Sequence, residues 1–89
     1  MGNLYLVDKP AGELALALAA ADGEAKVVLI QDGVYLDAGP LRATGREVYA
    51  VKRDVEVRGL SGQLPRHVRE IDYGQLVDLI VANKVINFA

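Results

Sequence analysis

The chain has 89 residues, 52% of them hydrophobic, a formal net charge of -2 and a pI near 5.2. That length holds one domain and not two, and the charge offers no general electrostatic grip on nucleic acid or an anionic membrane. No cysteine is present and His67 is the only histidine, which excludes disulfides and leaves no donor set for a zinc or iron–sulfur site.

No run of about 18 apolar residues and no basic segment followed by an apolar stretch and a cleavage site occurs, so neither a spanning helix nor a secretory signal is expected and the cytoplasm is the default. Apolar runs of strand length stand at residues 4–7 (LYLV), 27–30 (VVLI), 48–51 (VYAV), 67–71 (HVREI, weaker) and 85–88 (VINF). Between them the pattern turns helical, most clearly over residues 11–21, rich in Ala and Leu, and 73–81, where Leu76, Leu79 and Ile80 recur at helical spacing. Pro10 suits the first turn of the first helix, where its missing N–H costs nothing. Residues 39–45 (GPLRATG) read as a loop, which leaves a second helix short or irregular. A short helix is expected to start at Asp54 and end at Gly59. Asp72 followed three residues later by Gln75 makes a capping box for the last helix. Continuous apolar strands, each followed by a helix, predict one α/β domain over residues 1–89: a three-layer α/β/α fold with a mainly parallel sheet of about five strands.

Asp8, Asp32, Asp54 and Asp72 each fall at or just after the end of an expected strand. A parallel sheet would carry all four to its carboxyl rim, where ligands of open α/β sheets bind. Neighbouring carboxylates there could act as acid and base. The plainer reading is that each caps a helix N-terminus, with Asp32 the expected exception.

Three spaced blocks, IQDGVY (residues 30–35), VYAVKRDVEVRGL (48–60) and IDYGQLVDL (71–79), keep an order and spacing that resemble the TusB/DsrH family of sulfur-relay subunits. The resemblance runs from Leu4 to Phe88. It implies a cytosolic α/β subunit of DsrEFH-like fold that joins TusC/TusD-like or DsrE/DsrF-like subunits in a hetero-oligomer and helps pass persulfide sulfur between proteins. In the Tus branch this serves 2-thiolation of the tRNA wobble uridine; in the Dsr branch, dissimilatory sulfur oxidation. Persulfide transfer needs a thiolate as nucleophile and carrier, and here there is none. Some family members carry a cysteine in the first helix, at a position that falls near Ala17 in this chain. The role implied is therefore non-catalytic, with no cofactor and no metal.

The block carrying Gln31, Asp32 and Gly33 reads as a turn in which glycine permits a positive φ or the close approach of another backbone. Arg58, in VRGL (residues 57–60), matches an arginine of the family's ARGL-like block and could clamp Asp54 or Asp32 through a paired hydrogen bond. Gln31, Asp32, Gly33, Asp54, Arg58 and Gly59 are thus the candidates for a partner-binding rim. Residues 42–69 hold seven Lys or Arg against the acidic Glu47, Asp54 and Glu56. Tyr49 is the one aromatic in that segment and lies inside an apolar strand, so a solvated face is the better reading and direct nucleic-acid binding is not expected. Dinucleotide, P-loop and Ser-His-Asp signatures are missing. The leading reading is an accessory subunit of a sulfurtransferase complex. The alternative is a self-associating small-ligand-binding or regulatory domain that uses the aspartate rim, with a homo-oligomer satisfying its apolar face.

Overall fold

Five apolar runs pair into one sheet in the computed structural model, which describes residues 2–42 and 44–89. The strands are β1 (Asn3–Val7), β2 (Ala25–Leu29), β3 (Glu47–Val51), β4 (Val68–Ile71) and β5 (Lys84–Phe88). Their order is β4-β3-β2-β1-β5 and every pairing is parallel. The helices are α1 (Gly12–Ala21), α2 (Gly39–Arg42), α3 (Lys52–Val57) and α4 (Tyr73–Ala82).

The chain walks outward from β1 to β4, then returns across the sheet to lay β5 beside β1. Right-handed crossovers put the helices of an outward walk on one face and the returning helix on the other. The core divides accordingly. On one face Tyr5, Val7, Val27, Leu29, Val48 and Ala50 pack with Ala15 and Leu16 of α1, Leu41 of α2 and Val55 of α3. On the other, Leu4, Val28, Tyr49, Val51 and Ile71 meet only Leu76 and Leu79 of α4, with Leu6 and Ile30 beside them. The expected three-layer α/β/α arrangement is what the structure shows.

Several boundaries differ from expectation for local reasons. Pro10 lies in a separate 3-10 turn, Lys9–Ala11, started by the Asp8 carboxylate accepting the Lys9 N–H at 2.6 Å, and α1 begins only at Gly12. The chain enters α3 directly from Val51 with no side-chain cap, so this helix starts at Lys52 and Asp54 falls inside its first turn. Within the expected loop 39–45, one turn is helical, because Asp37 accepts the Gly39 N–H at 2.8 Å and gives that turn a start; Ala43 lies outside the described residues.

At the amino end of the sheet a polar knot ties three segments together. Asp22, after α1, accepts from Asn3 Nδ2 at 2.8 Å, Tyr5 hydroxyl at 3.0 Å and Glu24 N–H at 2.9 Å. The Asn3 hydrogen bond, more than any other contact, holds the Asp22 carboxyl below its ordinary pKa. Arg46 donates to the carbonyls of Ala20 (3.2 Å) and Asp22 (2.7 Å) at the end of α1 and to the carbonyl of Thr44 (2.8 Å) before β3.

The capping box of α4 is complete: Gln75 N–H donates to Asp72 Oδ1 at 2.7 Å and Asp72 N–H donates to Gln75 Oε1 at 2.9 Å. Asp72→Ala is expected to cost about 0.5–2 kcal/mol, seen as a lower denaturant midpoint at unchanged slope. An unchanged midpoint would mean that the box contributes nothing to the stability of α4.

Candidate partner-binding rim

A parallel sheet delivers all its strand ends to one rim, so segments that follow β2 and β3 become neighbours there. After β2 the chain makes a 3-10 turn, Gln31–Tyr35, opened by hydrogen bonds from Ile30 N–H to the Val7 carbonyl (3.0 Å) and from Gly33 N–H to the Ile30 carbonyl (2.8 Å). Gly33 is buried against the end of β1. A Cβ at this position would run into the Val7 carbonyl oxygen and crowd the Asp8 backbone. Glycine is required here for space, the second of its two expected uses.

The positive φ of the turn belongs instead to Gln31, at 49°. A left-handed backbone costs a residue with a Cβ about 1–2 kcal/mol, and the fold supplies a clamp. Gln31 N–H donates to Asp54 Oδ2 at 2.8 Å from the first turn of α3. Asp54 therefore does not cap its own helix; it holds a neighbouring turn. Asp32 caps nothing either.

Arg58 closes the cluster. Its Nε donates to Asp32 Oδ1 at 2.9 Å, and its terminal nitrogen reaches the Asp54 carbonyl at 3.2 Å and Asp54 Oδ1 at 3.8 Å. The hydrogen bond to Asp32 comes first among the causes that raise the guanidinium pKa above its ordinary value. Local structure explains why Arg58 turns back over α3. Gly59, with φ of 69°, ends that helix, its N–H bonding the Glu56 carbonyl (3.1 Å) while Leu60 N–H bonds the Val55 carbonyl (3.0 Å). These two bonds form a Schellman motif, which makes Arg58 the last residue of the turn and sets it four positions beyond Asp54. Gly59 thus shapes the cluster without touching it.

Of the expected rim residues, Gln31, Asp32, Asp54 and Arg58 are in mutual contact. Asp8 and Asp72 are helix and turn caps, each accepting a backbone N–H. Arg58 stands between Asp32 and Asp54 and pairs with both. Exposed apolar groups flank the cluster: Tyr35 is 51% exposed, with Lys9 Nζ 5.8 Å from its ring centroid, and Val57 is 68% exposed. Neither stands out in the sequence, because Tyr35 continues an apolar run and Val57 sits among charges. Ala17 lines an open groove of about 330 Å³ with Leu16, Ala20, Leu36, Glu13 and Asp37. Among the described residues no helix is long and apolar enough to cross a membrane, and no group of His, Asp and Glu could hold a metal ion.

The same rim-bearing segments fall within a match to the family described as DsrH like protein, which covers residues 10–86. The chain belongs to the TusB/DsrH family. Among curated relatives it is 41% identical over 63 residues to Protein TusB of Photorhabdus laumondii, covering 62% of this chain and 64% of that protein, just under two thirds of its length. It is 37% identical over 75 residues to Protein TusB of Salmonella arizonae, covering 75% and 76%. The fold of this DsrH-like chain also resembles the crystal structure of the ychN protein from E. coli, with a TM-score of 0.76, 20% identity and 99% of both chains covered.

Two results check this DsrH-like rim. Gly33→Ala should destabilise by about 2 kcal/mol or more, since backbone atoms must move, whereas Gly23→Ala, with nothing within 4 Å of the added carbon, should stay within about 0.5 kcal/mol. Asp54→Ala should cost about 1–2 kcal/mol in the native background and clearly less in a Gln31→Gly background, where the turn needs no clamp. Equal costs in a double-mutant cycle would show that Asp54 does not hold the left-handed turn.

Proposed function

We propose that this chain is a non-catalytic accessory subunit of a cytoplasmic persulfide-relay complex, one domain that joins TusC/TusD-like or DsrE/DsrF-like subunits through the rim of Gln31, Asp32, Gly33, Asp54, Arg58 and Gly59. The observation that carries the reading is the match to TusB proteins in a chain with no thiol. No other side chain can hold a sulfane sulfur in a reversible S–S bond, so in such a complex the sulfur rides on a partner. The name shared by the curated relatives favours the Tus branch, and with it delivery of sulfur for tRNA wobble-uridine 2-thiolation.

The rim suits docking better than chemistry. Its backbone is pinned from three directions, its charges are already paired, and Tyr35 and Val57 offer apolar surface beside them. A charged pair that a partner desolvates can be worth several kcal/mol, and removing one member leaves the other buried alone. Arg58, with a side chain only 22% exposed, is the member whose loss disturbs both aspartates.

Arg58→Ala should weaken assembly with DsrE/DsrF-like subunits more than tenfold, an effect of about 1.4 kcal/mol or greater, while Arg66→Ala on the exposed loop before β4 should leave assembly unchanged. Calorimetric titration of each variant, after circular dichroism has shown intact folding, measures this. In the same mixture, labelled sulfur from a persulfide donor should appear on the partner and not on this chain. Wild-type affinity in folded Arg58→Ala removes the rim from the interface, and a wild type that binds no such subunit removes the proposed function.

A further inference from the structure

The rim contains one backbone conformation that its residue does not favour. Gln31, at φ 49°, is the one residue other than glycine with a positive φ among the described residues. Glycine takes this conformation freely, and Asn or Asp takes it more readily than Gln. Asp54 is committed to holding Gln31 there, through the 2.8 Å bond to its N–H. Nothing inside the domain accounts for the side chain. It belongs to an exposed residue, and only the backbone N–H of Gln31 is hydrogen-bonded among the described residues. A long side chain thus stands where the backbone is better served by none, and it gains no packing in return. Strain of this kind gathers where a residue is used in binding.

Position adds a second reason. β2 is the middle strand of the five, so the residue that follows it at Gln31 stands at the centre of the carboxyl rim, and the centre of an interface carries most of its binding energy. Around it the charged groups are already engaged: Arg58 lies 2.9 Å from Asp32 and 3.8 Å from Asp54. What Gln31 adds is neutral, one carbonyl acceptor and two N–H donors on a single amide. That set is the complement of a main-chain peptide group, whose N–H and C=O it can bind together. Every partner loop carries such groups, one donor and one acceptor per residue, and outside a helix or sheet they have no partner in the backbone. We propose that the Gln31 side chain is a specificity-determining contact of the rim, donating to and accepting from an exposed main-chain peptide group on a loop of the partner subunit. This rests on the rim being the docking surface. The clamped turn fixes the root of the side chain before binding, so less freedom is lost when the contact forms.

Three variants test this, each titrated calorimetrically with the DsrE/DsrF-like subunits and unfolded alone in denaturant. Gln31→Gly relieves the strain and removes the amide: its unfolding midpoint should stay at or above that of the wild type while its affinity falls at least tenfold. Gln31→Ala keeps the strained backbone and removes the amide, and should lose affinity equally with a midpoint near that of the wild type, which separates a lost contact from a loosened turn. Gln31→Asn keeps an amide and tolerates the left-handed backbone, and should recover most of the lost affinity. Wild-type affinity in Gln31→Gly or in Gln31→Ala would overturn the proposal, as would an Asn variant as weak as the alanine one. A clearly lower midpoint in Gln31→Gly would overturn it too, by showing that the side chain serves the fold. If Arg58→Ala still weakens assembly, each of those results leaves the docking rim standing, whereas a wild type that binds no such subunit overturns the rim and this contact together.

Discussion

The rim rests on one close approach, that of the Gly33 backbone to the Val7 carbonyl at the end of β1. Because no side chain intervenes, the turn after β2 can settle onto its neighbouring strand, and this fixes where Gln31 and Asp32 stand. Gln31 then presents its N–H to Asp54, and Asp32 presents a carboxylate to Arg58. From the other side, the Schellman turn at Gly59 fixes Arg58. Two independently folded turns therefore meet through Asp54 and Arg58. The Arg58–Asp32 pair, with Asp32 60% exposed, adds little stability in itself, since exposed ion pairs are worth about 0–1 kcal/mol. The backbone contacts on either side of it do the positioning.

The parallel sheet was legible because its strands are continuous apolar runs, and a strand buried on both faces has to read that way. The last helix was legible for a different reason: Asp72 and Gln75 announce a cap whose two hydrogen bonds are both made. What escaped was set by tertiary contact. Asp54 looks like an N-cap by position, yet the chain runs from β3 into α3 without a gap, and the carboxylate is left free to hold Gln31. Likewise the positive φ falls on Gln31 because Gly33 is consumed by packing. The Asp22 and Arg46 knot at the amino rim joins residues far apart in sequence and has no local signature. In the rim itself, the sequence blocks name the residues one by one, but only the fold shows that Arg58 contacts both aspartates.

Helix composition carries a further lesson. In α1, seven of the ten residues are Ala or Leu after an initial Gly-Glu-Leu, and in α4 only Gln75 and Asp78 are polar or charged side chains. A helix that is hydrophobic all round is normally buried on all sides, but a five-stranded sheet of this size offers each helix only one side to bury. The surplus apolar surface has to face outward. Leu14 and Leu18 on one layer and the Tyr73 to Val81 stripe on the other are that surplus.

Placement of these surfaces limits how they can be used together. The rim lies at the carboxyl ends of β2 and β3, built from the turn after β2 and from α3, whereas α4 crosses the opposite face and ends beside β5. Occupying one leaves the other open.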